Sequence, residues 1–125
     1  MLDLINADRA ALGRAPLMLE LNLKTSAQAH SVWMVAADVF SHTGAGGSSA
    51  TQRMLAAGME ISGSWRSAEN IDAVSVSGAD SYCDEVAQLH ANLMNSPGHY
   101  ANLMDPDLVV IGEGGPTRTP WRWVA

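Results

Sequence analysis

The segment SPGHYANLM, Ser96–Met104, places a histidine in the first turn of a short predicted helix. Pro97 suits the first helical position because its fixed φ is helical and its missing N–H is not needed there, and Ser96 suits the N-cap. His99 therefore lies at a helix edge, directly behind a proline-glycine break. A side chain at such an edge can point into a cavity without interrupting an apolar stripe.

A second histidine has a comparable setting. His42 lies in FSHTGAGGSS, Phe40–Ser49, where an apolar helical run meets a glycine-rich loop. Glu69, in SAENI, is a lone acid among small and apolar neighbours. Two neutral imidazoles and one carboxylate suit a divalent metal with an open coordination position. The same three groups also suit acid–base chemistry, so the residues alone leave both interpretations open.

The other reactive side chains are less informative. His30 lies on the apolar stripe of a long predicted helix and is interpreted as a core histidine. His90 falls one position off the next stripe and is predicted at the surface or its boundary. Cys83 is the single cysteine, which excludes an internal disulfide and any paired-cysteine zinc or redox motif. We expect it to be passive.

Composition limits the class of protein. At 125 residues and 47% hydrophobic, the chain is predicted to form a single domain, 1–125, with one core. Its net charge of -6 and its dispersed basic residues argue against nucleic acid and anionic membranes as partners. No run approaches the ~18 apolar residues of a transmembrane segment. The start, MLDLINADRAALG, has no signal-peptide pattern and reads as a first helix, Leu2–Leu12.

Hydrophobic spacing predicts helices first and strands late. The second helix has the clearest stripe, and Ser49 and Gln52 have the spacing of a capping box before a third. The run LVVIGEGG, Leu108–Gly115, is predicted as a buried strand, and the terminal WRWVA as another. This order indicates an α+β fold with helices packed on a small sheet. The stripe of the second helix consists of Leu23, Ala27, His30, Met34 and Ala37.

Taken in order, the motifs resemble a known family. The succession LINADRAALGRAPL, SAQAHSVWM, FSHTG, RMLAAGM, AENI, LMNSPGHYANLM and IGEGG is similar to the CAP superfamily, which contains the cysteine-rich secretory proteins, antigen 5 and pathogenesis-related proteins. The likeness is greatest to bacterial SCP-domain members, which lack the eukaryotic disulfides. It extends from Leu2 to about Gly115.

The resemblance implies an α-β-α sandwich with a small antiparallel sheet around a central cleft. It also implies that His42, His99 and Glu69 meet across that cleft, which holds zinc or another divalent metal in several relatives. The domain is then expected to be secreted, in the extracellular space or cell envelope. Its partner is expected to be a lipid, a glycan or a protein.

Two departures from the family bear on these expectations. Asn95 stands near the position of a second family glutamate and could support a metal only through its amide oxygen. Glu85 is a substitute further upstream, but it is predicted to face the surface. After IGEGG only PTRTPWRWVA remains, so the sheet either lacks its last strand or takes it from WRWVA.

Three functions are compatible with these residues. The first is a binding module with a divalent metal in the cleft. The second is a metal-assisted hydrolase in which Glu69 or a histidine-bound water acts, although Ser41 and Thr43 beside His42 are not placed as nucleophiles. The third is a purely structural cluster in which both histidines hydrogen-bond to Glu69. The absence of a nucleophile motif favours binding over catalysis.

Overall fold

The computed structural model describes residues 1–76 and 82–115 and, for residues 121–124, the backbone. Within these residues the chain forms five α-helices and four short strands, which confirms the α+β class. The helices are α1 Leu2–Ala11, α2 Leu21–Ala37, α3 Ala50–Ala56, α4 Cys83–Asn95 and α5 Pro97–Leu103. The strands are β1 Met18–Leu19, β2 Asp72–Ser75, β3 Val110–Ile111 and β4 Trp121–Val124.

The strands form two separate pairs. β2 and β4 are antiparallel, with Asp72 opposite Val124, so the sequence WRWV supplies a strand. β1 and β3 are parallel, with Met18 opposite Val110, and the prediction of a wholly antiparallel sheet is therefore wrong for this pair. The reason lies in the connection: β1 and β3 are separated by helices α2 to α5, and a long helical crossover can return a strand in the same direction.

The helices pack on the strands to give the predicted α-β-α arrangement. α4 lies against β2, and α2 lies against both β4 and α3. A core cluster joins α1, α4 and α5, because each of these helices turns an apolar face toward the others. Its buried members are Ile5, Leu17, Leu93, Leu103 and Met104.

Arg9 is the polar centre of this core. It lies on the inner face of α1 with 0% of its surface exposed. Its guanidinium donates to four backbone carbonyls, those of Ala15 at 2.8 Å, Leu103 at 2.7 Å, Asp105 at 3.0 Å and Leu108 at 3.2 Å. Burial lowers its pKa from the usual value, yet these acceptors replace the lost water. Arg9 thus ties α1 to the segment that follows α5.

The helix ends agree in part with the sequence. Ser49 and Gln52 form the predicted capping box at the start of α3, each side chain accepting from the backbone N–H of the other. At α5, Pro97 occupies the first turn as expected, but the hydroxyl of Ser96 makes no capping hydrogen bond. The α5 N-terminus is therefore shaped mainly by the proline.

The segment after β3 runs directly against α2. A Cβ on Gly112 would lie 2.1 Å from the carbonyl carbon of Leu23, and one on Gly114 would lie 2.1 Å from the amide nitrogen of Gln28. Neither glycine has a positive φ, so the contact distance alone requires the missing side chain. This close approach ends β3 at Ile111, earlier than the predicted strand, because the backbone beyond it packs on a helix.

A side chain of α2 fixes the end of that segment. The Gln28 amide donates to the carbonyl of Gly115 at 2.6 Å and accepts from its N–H at 3.0 Å. These two hydrogen bonds to the backbone N–H and C=O of one residue replace the ladder that a longer strand would have formed. The residue between the two glycines, Glu113, is held at a defined position beside α2.

Candidate functional site

Glu69 is the centre of a hydrogen-bonded cluster that includes one of the predicted site histidines. Its Oε1 accepts from Nδ1 of His42 at 2.9 Å. Its Oε2 accepts from a guanidinium nitrogen of Arg53, on α3. The Glu69 side chain is 14% exposed and that of His42 is 57% exposed. Both carboxylate oxygens of Glu69 are therefore engaged, and His42 forms the outer edge of the cluster.

Arg53 also holds the loop that carries His42. Its Nη1 donates to the carbonyl of His42 at 3.1 Å and to that of Ser48 at 2.8 Å. The guanidinium thus joins α3, the loop and Glu69, and its hydrogen bond to the carboxylate is charge-assisted. Sequence reasoning missed Arg53. The available signal was its isolation, because no other lysine or arginine occurs between Lys24 and Arg66.

His30 supports the same loop from the core. It is 2% exposed, which confirms it as a core histidine, and its ring stacks on Trp33 with centroids 5.6 Å apart. Its Nε2 lies 2.9 Å from the carbonyl oxygen of Ser41, so the proton of the neutral ring is on Nε2. Burial, followed by the charge of Arg53, lowers the pKa of His30. The neutral ring is therefore favoured.

His99 is linked to the cluster through its backbone. Asn70, the neighbour of Glu69, donates to the carbonyl of His99 at 3.2 Å and accepts from the amide of Asn102 at 2.8 Å. None of the hydrogen bonds formed by the described residues involves the His99 ring. The structure therefore brings α5 to the Glu69 segment but does not join the two histidine side chains through Glu69.

The two candidates for a further family carboxylate lie elsewhere. Asn95 is exposed, and its amide donates to the carbonyl of Ala91 on its own helix at 2.8 Å. Glu85 is 8% exposed, so the prediction that it faces the surface is wrong; its helix, α4, packs against β2. His90 lies at the surface boundary as predicted, 2.8 Å from a carboxylate oxygen of Asp8.

The donor set does not fit a three-ligand metal centre in this arrangement. Within residues 1–76 and 82–115, no three side chains of His, Cys, Asp or Glu are grouped closely enough to hold an ion. The two oxygens of Glu69 already accept from His42 and Arg53, and the guanidinium brings its positive charge to the carboxylate. The zinc or other divalent metal stays a prediction, and the contacts agree with a hydrogen-bonded cluster.

A cavity of about 120 Å³ opens beside Glu69. Its wall is mainly apolar and is built from all five helices and β3, with five polar side chains among its lining residues. The cavity is therefore enclosed by the same elements that form the core. Its apolar lining includes Ile5, Leu17, Leu23, Leu93, Leu103 and Ile111, and its polar lining includes Glu69, Asn70, Asn102 and Glu113.

Glu113 differs from the other polar residues of this cavity. Its side chain is partly buried, and its Oε1 is shielded from solvent without a hydrogen-bond donor among the described residues. Burial raises the pKa of its carboxyl group. Sequence reasoning quoted IGEGG without singling out this acid. The signal was a lone acid inside an apolar, strand-like run.

Comparison with known proteins agrees with this architecture. The family description "CAP: Cysteine-rich secretory protein family" matches residues 2–114. The chain belongs to the CAP family. No curated protein matches it significantly.

Two solved structures resemble this CAP domain. An outer surface protein of Borrelia burgdorferi has a TM-score of 0.68 at 19% identity, covering 96% of this chain and 81% of that one. An extracellular protein containing an SCP domain, from Bacillus anthracis, has a TM-score of 0.68 at 22% identity, covering 98% of this chain and 37% of that one. At these identities the likeness establishes the fold. In the described part of the CAP domain, no helix combines the length and apolarity needed to cross a bilayer.

Proposed function

We propose that this CAP domain is a secreted binding module whose ligand occupies the cavity behind Glu69. One observation carries the proposal: a mainly apolar cavity of about 120 Å³ lies beside a carboxylate whose two oxygens are both held by protein donors. Concave apolar sites with a few polar groups are the usual form of small-ligand sites. Ala50 and Met54 of α3, the helix that carries Arg53, line this cavity.

The same contacts argue against hydrolysis at Glu69. A general base must have an oxygen within hydrogen-bond reach of the water that it activates. In Glu69 one oxygen accepts from His42 and the other from Arg53, and the side chain is largely buried. The cluster then has a structural task, which is to hold the loop that carries His42 in one conformation.

Secretion is proposed from the relatives. Proteins of this family are described as secretory, and the two solved structures are described as an outer surface protein and an extracellular protein. Among the expected partner classes, the apolar lining favours a ligand with an apolar portion, which a lipid or a protein side chain offers and a glycan does not.

The test is binding of a small neutral probe, n-pentanol, followed by methyl chemical shifts in ¹H–¹³C NMR spectra. We expect saturable shifts of cavity methyl groups such as those of Leu17 and Ile111. Ala50→Leu, which adds atoms to the cavity wall, should abolish the shifts. Ala56→Leu on the exposed side of the same helix is the matched control and should preserve them. Shifts that do not saturate, or that survive Ala50→Leu, would contradict the proposal.

A second experiment addresses the predicted metal. Chelator-treated protein is unfolded thermally with and without zinc, for the wild type and for His42→Ala and His99→Ala. The hydrogen-bonded cluster predicts no zinc-dependent rise in the unfolding temperature, and lower stability of His42→Ala without zinc. A rise that both substitutions abolish would instead establish one shared metal site.

A further inference from the structure

Glu113 is a partly buried acid, and one of its carboxylate oxygens has no hydrogen-bond partner among the described residues. Its Oε1 is inaccessible to solvent and accepts no hydrogen bond from the described residues. Leaving a carboxylate oxygen unpaired in apolar surroundings is unfavourable, because it loses its water and gains no donor. Burial raises the pKa of Glu113, with smaller effects of the Met1 amino group, Asp3 and Lys24, and neither of the two cations forms an ion pair with it among the described residues. The position is therefore open to a donor from outside the chain.

The second carboxylate on the cavity wall is already neutralised. Glu69 is held by Arg53 and His42, so a ligand gains little by pairing with it. Glu113 is then the cavity carboxylate that lacks a positive partner among the described residues. Most of the remaining wall is apolar, including Leu17, Leu23 and Ile111. The cavity thus combines one uncompensated carboxylate, that of Glu113, with a mainly apolar wall.

From this arrangement we propose that the cavity binds an alkylammonium group, with its aliphatic part against the apolar wall and its N–H groups on Glu113. The inference deepens the proposed binding function and rests on it. A volume of about 120 Å³ is somewhat smaller than the ~150 Å³ cavity known to accept benzene, so a chain of about four or five carbons fits. The ammonium group donates a charge-assisted hydrogen bond to the buried oxygen of Glu113, which has no donor among the described residues.

Other ligand classes satisfy the site less well. A fatty acid would place a second carboxylate against Glu113, and like charges repel strongly in a low-dielectric cavity. A divalent cation prefers six or more oxygen ligands, or several nitrogen and sulfur donors, which this mainly apolar wall does not provide. A neutral alcohol can donate one hydrogen bond, but it leaves the negative charge uncompensated.

The same chemistry has two sources. A free primary alkylamine carries it, and so does the side chain of a lysine on a partner protein, which is a butylammonium group attached to a backbone. Glu69 and Asn70 are among the residues that line the cavity. Both ligands would donate to Glu113 in the same way. They differ in size, because a lysine has a backbone that must remain outside the cavity.

The experiment compares n-pentylamine, which is cationic at pH 7, with n-pentanol, which has the same chain and no charge. Affinities are measured by NMR titration of the cavity methyl groups in wild type, in Glu113→Gln and in Glu60→Gln, a matched control whose acid is exposed and outside this cavity. We expect the wild type and Glu60→Gln to bind the amine at least tenfold more tightly than the alcohol. In Glu113→Gln this preference should fall below twofold.

The outcomes separate the two proposals. If the alcohol binds in the cavity and the amine binds no better, or if the preference survives in Glu113→Gln, the alkylammonium inference is wrong and the cavity function stands. If neither probe binds in any variant, both proposals are wrong. When the amine preference is found, Nα-acetyl-lysine methylamide distinguishes its sources: comparable affinity indicates a lysine side chain, and exclusion indicates a free amine.

Discussion

Arg9 and Glu113 are both charged side chains placed in the interior of the same small domain, and their surroundings are opposite. Arg9 is fully buried and donates to four backbone carbonyls. Glu113 has a buried oxygen that accepts nothing from the described residues. A buried charge whose hydrogen-bond partners are all present connects parts of the fold. A buried charge that lacks a partner marks a place where a ligand can provide one.

Desolvation acts on both residues and shifts each pKa toward the neutral form. It lowers the pKa of Arg9 and raises that of Glu113. An arginine starts from so high a pKa that it stays charged, and its carbonyl partners then hold the surrounding chain in place. A glutamate can become neutral at a moderate pH, so its protonation and its ligand compete for the same oxygen.

The largest loss of stability is expected from replacing Arg9. Arg9→Met keeps the length of the side chain but leaves four carbonyls without their donor, and we expect a loss of about 3–5 kcal/mol in the free energy of unfolding. Urea titration at pH 7 measures it. Arg14→Met, at an exposed position five residues away, is the control and should lose less than about 0.5 kcal/mol. Similar losses for the two variants would contradict the assigned role of Arg9.

The next effect concerns the segment that positions Glu113. Gly114→Ala forces a Cβ to within 2.1 Å of the backbone of α2, so the segment must move away and we expect about 1–3 kcal/mol of destabilisation. Gly98→Ala is the control, because a Cβ there meets nothing within 4 Å. Thermal and urea unfolding of both variants test this. Equal stability of the two would show that the close contact with α2 is absent.

Replacing the unpartnered charge should have the opposite sign. Burial raises the pKa of Glu113 above its usual 4.5, with smaller lowering by the Met1 amino group and Lys24 and raising by Asp3. The folded state therefore binds the proton more tightly, so ionisation of Glu113 costs stability above the folded pKa and nothing below 4.5. We expect Glu113→Gln to be more stable than wild type by about 1 kcal/mol at pH 7.

That gain should vanish as the pH falls below 4.5, where both variants carry a neutral side chain. Urea unfolding at pH 7 and at pH 4 gives the comparison. A variant that is less stable than wild type at pH 7 would mean that the carboxylate has a partner in the folded chain.

The smallest effect on stability is expected from His30, which has a hydrogen-bond partner at one of its two ring nitrogens. His30 holds the carbonyl of Ser41 through Nε2, whereas its buried Nδ1 has no partner among the described residues. Burial and then the charge of Arg53 lower its pKa below 6.5, against smaller raising effects of the Ser41 carbonyl and Glu69, and His42 has the smallest effect. The unfolded state therefore takes up the proton first, and wild-type stability should fall as the pH decreases through 6.5.

The expected size is under about 1 kcal/mol between pH 7 and pH 5.5, since one proton changes stability by at most ~1.4 kcal/mol per pH unit. His30→Gln should have a flatter stability profile over this range, whatever its absolute stability. Parallel profiles for the two proteins would show that His30 does not contribute to the acid sensitivity.

Local patterns in the sequence predicted much of the fold. The stripe on α2, the capping box before α3 and the proline at the start of α5 are short-range features. The structure contains the capping box and the proline, and it buries the α2 stripe at Ala27, His30 and Met34 but leaves Ala37 exposed. The parallel pairing of β1 with β3 was not predicted, because two-residue strands carry no periodicity and their direction depends on the path of the intervening helices. The short β3 depends likewise on a contact with α2.

The site was predicted less completely for a similar reason. His42 and Glu69 were expected to meet, and they do so through one hydrogen bond. The residue that completes the cluster, Arg53, is recognisable only once α3 is placed beside the loop. Glu113 looked like part of a glycine-rich strand, and its importance comes from the apolar wall that the fold assembles around it.

The hydrogen bonds of Arg9 also constrain the order of events during synthesis. Three of its acceptors follow it by 94, 96 and 99 residues, so the guanidinium has no complete set of partners until Leu108 has left the ribosome. The first helix can form early, but the charged side chain on its inner face lacks acceptors until these distant residues have been synthesised. The core around Arg9 is therefore expected to close late in synthesis of the domain.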